Sequence, residues 1–119
     1  MTRLPRKVLG IGASDAMAKN DYAAAILECR ADITQYTIWH KSHTEPFIQS
    51  EPERVRAILD VDLKALAELV DILLRCYSRT EAAQEIPQVL ERLRSNIQDA
   101  RWQRKITYFY AVDAYLMRF

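Results

Sequence analysis

Apolar residues recur along this chain in steps of three and four, the spacing of one face of an α-helix. Tyr22, Ile26, Cys29, Ile33, Tyr36 and His40 form one continuous stripe. They predict a first long helix over about 14–40, with Ser14 as its cap and Asp15 in its first turn. Arg30, Thr34 and the Glu28/Asp32 pair fall off that stripe. Residues 41–50 are polar and contain Pro46, so a loop is expected there. Ser50, Glu51, Pro52 and Glu53 then have the order of a capping box with a first-turn proline, starting a second helix over about 51–77. Its polar side, Asp60, Lys64, Glu68, Asp71 and Arg75, is narrow. Val55, Ile58, Leu59, Val61, Leu66, Leu69, Val70, Ile72, Leu73 and Cys76 fill the rest. A helix so widely apolar must be covered on most sides, by its own chain or by a second subunit.

Ser78, Arg79, Thr80 and Glu81 make a second box-like start. Pro87 either breaks the helix begun there or resets it as a first-turn residue, so the third segment, about 79–95, is expected to be short or kinked. Val89, Leu90 and Leu93 face inward on it. Residues 95–98 resemble a further box, marking a boundary before a last helix. The alternative is a single helix from Pro87 onward. Trp102, Ile106, Phe109, Val112, Leu116 and Met117 share one face of the last helix. No segment reads as a strand. The expected fold is all-α: an up-and-down bundle of four helices with no sheet, spanning 14–119, preceded by a basic N-terminal arm over 1–13.

Composition agrees with this pattern. Two Gly and four Pro in 119 residues are too few turn formers for a many-stranded β fold, and 50% hydrophobic content is too high for a disordered chain. A domain of this size buries enough surface to fold without a disulfide or metal staple. No apolar run approaches the roughly 18 residues of a membrane span. The apolar stretch after Arg3, Arg6 and Lys7 covers only 8–13 before Asp15, too short for a secretion signal. The expected setting is cytoplasmic, with no membrane partner and no cofactor. Gly10 and Gly12 lack the third glycine and the strand context of a phosphate loop. Cys29 and Cys76 fit no metal or redox spacing and lie on apolar faces, as buried free thiols do.

Three residues break the pattern. At 100° per residue, Asp62 falls in the middle of the apolar side of the second helix. Asp113 does the same on the last helix, between Ile106, Phe109 and Leu116, and His40 ends the first stripe. An unpaired buried carboxylate costs several kcal/mol or takes up a proton (roughly 2–7 kcal/mol even for a neutral polar group). One reading is a polar site in the bundle. Asp62, Asp113 and His40 would bind a divalent metal, with His43 as a further ligand, or act as an acid–base group. A second is structural, with the carboxylates accepting hydrogen bonds from Tyr22, Tyr36, Trp102 or Arg30. A third is that one of these faces meets a partner.

The net charge of +1 conceals an uneven distribution. Residues 1–12 and 92–119 are basic, and 13–91 are acidic. The outer face of the last helix carries Arg101, Arg104, Lys105, Tyr108, Tyr115 and Arg118. Arginine interleaved with tyrosine suits an acidic protein surface or stacked bases and phosphates. A helix-turn-helix over 80–94 lacks a recognition helix. No Ser, His or Cys lies in a motif that would activate it as a nucleophile. The function expected from these features is a non-enzymatic interaction module, homo-oligomeric and binding another protein through its second- and fourth-helix faces. The alternative is a nucleic-acid-associated accessory protein using the basic C-terminal face. A third is a small metal-binding or acid–base site on Asp62, Asp113 and His40.

Overall fold

The structure, a computed structural model, describes residues 9–77 and 85–116. Among them are five α-helices and no strand: α1 (Ile11–Ala18), α2 (Tyr22–His43), α3 (Pro52–Tyr77), α4 (Ile86–Asn96) and α5 (Ala100–Leu116). A 3-10 turn, Glu45–Phe47, lies between α2 and α3. The all-α expectation holds, with five helices in place of four.

The extra helix arises because the expected first helix is split at 19–21. Asn20 takes up a left-handed conformation, φ 56°. The Asp21 N–H bonds to the Ala16 carbonyl at 2.9 Å and the Asn20 N–H to the Met17 carbonyl at 3.0 Å. This crossed pair closes a helix C-terminus, and Asn is the non-glycine residue that best tolerates the position. Asp21 then opens α2, its carboxylate accepting the Ala24 N–H at 3.1 Å. The cap of α1 is Gly10, not Ser14. Gly10 has φ 90°, a left-handed value suited to glycine, and its N–H is held by the Asp32 carboxylate at 2.9 Å. Thus α1 begins within the stretch expected to be an N-terminal arm. Asp32, expected off the stripe, is buried because it meets this backbone donor.

The α2 stripe is inward as expected: Ile26, Cys29, Ile33, Tyr36 and His40 are buried. The helix continues three residues past its expected end, through Lys41, Ser42 and His43, before the turn at Pro46. Its last turn carries His40, Lys41 and His43, basic side chains that suit the negative end of the helix dipole. Helix α3 starts one residue later than expected. Its entry is fixed by backbone bonds from Glu51 to Phe47 and from Val55 to Glu51, at 2.9 and 3.0 Å. The broad apolar girth of α3 is enclosed by its own chain. Leu69, Val70, Ile72, Leu73, Leu74, Cys76 and Tyr77 are all buried, and Val61 alone among the large apolar residues of α3 is largely exposed, at 64%.

Residues 78–81, the second expected box, lie outside the described residues. Pro87 sits in the first turn of α4, where its missing N–H costs nothing. Residues 97–99 separate α4 from α5, so 87–116 form two helices. Asp99 caps α5 through Oδ1, which accepts the Arg101 and Trp102 N–H groups at 2.9 and 3.1 Å. The Gln103 amide closes the same corner by donating to the Arg94 and Ile97 carbonyls. Around the bundle the neighbours run α2, α3, α5, α4, with α1 against α2 and α3. Leu66, Leu69 and Leu73 of α3 join Leu90, Leu93, Ile97, Trp102, Ile106 and Phe109 in one core. Trp102 and Phe109 meet edge to face at 6.3 Å. Met117 and the side chain of Leu116 lie outside the described residues.

Candidate functional site

The four residues considered as metal ligands or acid–base groups are placed as follows. His40, Asp62 and Asp113 are buried, as their positions on apolar faces require. His43 is half-buried and stacks on Trp39, with ring centroids 3.9 Å apart and planes 7° from parallel. They do not assemble: among the described residues no group of three or more His, Cys, Asp and Glu is placed to hold a metal ion.

Burial lowers the His40 pKa, against the opposing pull of Glu45 and Asp99, and its Nδ1 has no hydrogen-bond partner. Burial raises the Asp113 pKa, and its Oδ1 likewise has no partner. The hydrogen bonds expected from Arg30 and Trp102 go elsewhere or are not made. Arg30 pairs with Glu85 at 3.2 Å, and the Trp102 indole N–H has no acceptor.

The thiols offer no nucleophile. Both are buried thiols. Burial, with Cys76 and Asp32 nearby, pushes Cys29 up to about 12, which keeps it a thiol. Burial and its hydrogen bond to Glu85 push the Tyr77 hydroxyl up to about 12 as well.

The outward side of α5 is a different surface. Arg104, Tyr108, Ala111 and Tyr115 follow the spacing of one helical stripe, and all four are exposed. Tyr108 and Tyr115, seven residues apart, are 57% and 60% exposed. Lys105 leans over the rings of Tyr108 and Phe109, its ammonium 5.0 and 5.5 Å from their centroids. Arg101 is not free: its guanidinium donates to Asp60 of α3 and to Asp99. These bonds, first that to Asp60, raise its pKa further. Arg118 lies outside the described residues.

Beside this stripe, α3 and α5 leave a groove of 280 Å³. Leu59, Leu63, Ala67 and Trp102 form its apolar lining, and Asp60, Lys64, Arg101 and Lys105 its charged lining. The sequence pattern assigned Lys64 to a solvated face and Trp102 to the core. Their meeting depends on which side of α3 receives α5, which the period of either helix alone does not carry. No family model, curated protein or solved structure matches the chain.

Proposed function

We propose that the protein is a non-enzymatic helical interaction module that binds another protein through the adjoining outward faces of α3 and α5. One observation carries this reading: two tyrosines are more than half exposed on one stripe of α5, with Arg104 in line and Ala111 leaving a notch between them. Tyr and Arg are the residues most often found as energetic anchors of protein interfaces.

Self-association was expected from the girth of α3. The chain encloses that girth itself, so the partner proposed is a different polypeptide. Nucleic acid is the less favoured occupant, because Arg101 already directs part of its guanidinium to Asp60 and Asp99. Photocrosslinking tests the choice, with a benzophenone amino acid replacing Tyr108 in the full chain. A discrete adduct with one other protein, absent when the label replaces exposed Thr34 on α2, is the expected result. Adducts only with nucleic acid, or only with a second copy, refute it.

A further inference from the structure

We infer that the groove between α3 and α5 is the anchor pocket of this surface, and that it takes one large apolar side chain from an acidic segment of the partner. This rests on the protein-partner reading above and adds the chemistry of the partner. Two features of the groove lead there.

The first is size. Sites for whole drug-sized ligands occupy about 300–1,000 Å³. At 280 Å³, lined by Leu59, Leu63, Ala67 and Trp102, this groove lies just below that range, with room for one large apolar side chain and the backbone that carries it. Ala67 is what keeps it open, since a longer side chain there would occupy the space.

The second is charge. Lys64 stands on the α3 wall and Lys105 on the α5 wall. Among the described residues no ion pair holds either of them, whereas the neighbouring Arg101 is matched by Asp60 and Asp99. A neutral or basic partner seated here would desolvate two ammonium groups with no counter-charge. Carboxylates flanking the anchor supply it, and they also speed encounter. Arg104, next along the α5 stripe, extends the same preference.

The experiment is a selection of random dodecapeptides displayed on phage against the immobilised full chain, followed by fluorescence anisotropy on the enriched peptides. The expected peptides carry one large apolar residue flanked by Asp or Glu. Their affinity should fall at least about tenfold in Lys64→Glu/Lys105→Glu, which changes two exposed residues. A similar fall is expected in Ala67→Phe, which fills the groove, with circular dichroism confirming that both variants are folded. If Ala67→Phe unfolds, the lysine variant decides alone.

Peptides that survive both groove variants but are lost in Tyr108→Ala/Tyr115→Ala overturn the pocket and leave the protein-partner reading intact. Selection of basic peptides, or of none, overturns the pocket. If the photocrosslinking also yields only nucleic acid, both readings fall. Full displacement of the peptides by dodecanoate at a concentration equal to theirs would assign the groove to a lipid carboxylate and overturn the peptide.

Discussion

Replacing Asp99 with alanine tests how the two C-terminal helices are joined. Asp99 Oδ1 accepts the N–H groups of Arg101 and Trp102, two of the four donors that the first turn of α5 leaves without a helical partner. Loss of such a cap costs about 1 kcal/mol, within a range of roughly 0.5–2. The upper half of that range is expected here, because the Asp99 side chain is only 16% exposed and water replaces its bonds poorly. Its second oxygen also receives the Arg101 guanidinium at 3.5 Å, a long and partly exposed contact that adds little. With a urea m-value of about 1–3 kcal/mol/M, the midpoint should drop by about 0.3–2 M, with m unchanged. Melting should fall by about 4–8 °C. Asp99→Asn should stay within about 0.5 kcal/mol, since asparagine caps as well as aspartate. Ser95→Ala should do the same, because its hydroxyl meets only the exposed Glu91 carboxylate. Equal losses for Ser95→Ala and Asp99→Ala would refute this account of the corner and return the cap to the box at 95–98.

Four further outcomes follow from buried or strained groups. The folded His40 pKa lies below the unfolded value of 6.5, so the unfolded chain binds more protons as pH falls. Stability should therefore decline from pH 6.5 down to the folded pKa and then level, no faster than about 1.4 kcal/mol per pH unit. Urea titrations of wild type and His40→Leu should differ in that acid limb, and parallel curves would exclude His40 as the cause. Asp113 has the opposite sign: its folded pKa is raised, so its charged form opposes folding at neutral pH. Asp113→Asn should melt higher than wild type at pH 7, with the advantage shrinking as the pH falls towards 3.8, and identical melting at pH 7 would contradict this. Asn20→Val, at φ 56°, should destabilise by about 1–2 kcal/mol while Asn20→Gly does not, as read by urea midpoints. Cys29 and Cys76 should resist Ellman's reagent at pH 8 in the native protein and react fully in urea, whereas fast native labelling would show that either thiol is accessible.

The sequence carried the inward faces well and the junctions poorly, for one reason. A stripe such as Ile26, Cys29, Ile33, Tyr36 and His40 repeats the same fact five times, so one ambiguous residue does not hide it. A helix end rests on one or two residues. Extending the first helix back to Ser14 depended on a single cap residue, although between Ser14 and Tyr22 only Ala18 continued its register. Asn20 followed by Asp21 was the legible signal there, a left-handed stop next to a cap. Asp32 shows a different limit. By period it lies with Ala25, Cys29 and Tyr36 on the buried side, and only its charge argued otherwise. The Gly10 N–H that it binds is 22 residues away. Asp62, Asp113 and His40 were correctly singled out as buried, yet burial of three polar groups does not bring them together. Their separation follows from helix packing, as does the meeting of Lys64 with Trp102.

The comparison of α2 with α3 bears on what an apolar helix implies. Both carry apolar residues on more than one side. On α3 they are nearly all enclosed, because α1, α2 and α5 all pack against it. On α2 the outward line of Leu27, Ala31, Thr34 and Ile38 stays exposed, Leu27 at 66%. Apolar girth therefore does not by itself call for a second subunit; the helix's place in the bundle decides whether its own chain supplies the cover. Nor does the exposed α2 line have the character of a docking surface. Its two large residues are eleven positions apart, separated by small or polar ones, and scattered exposed aliphatics are ordinary on soluble proteins. The α3/α5 side differs in kind. There exposed aromatic rings, the Lys64 and Lys105 ammonium groups and a groove fall within a few turns of each other. That conjunction is why the partner surface is proposed on α3 and α5 in preference to the more apolar face of α2.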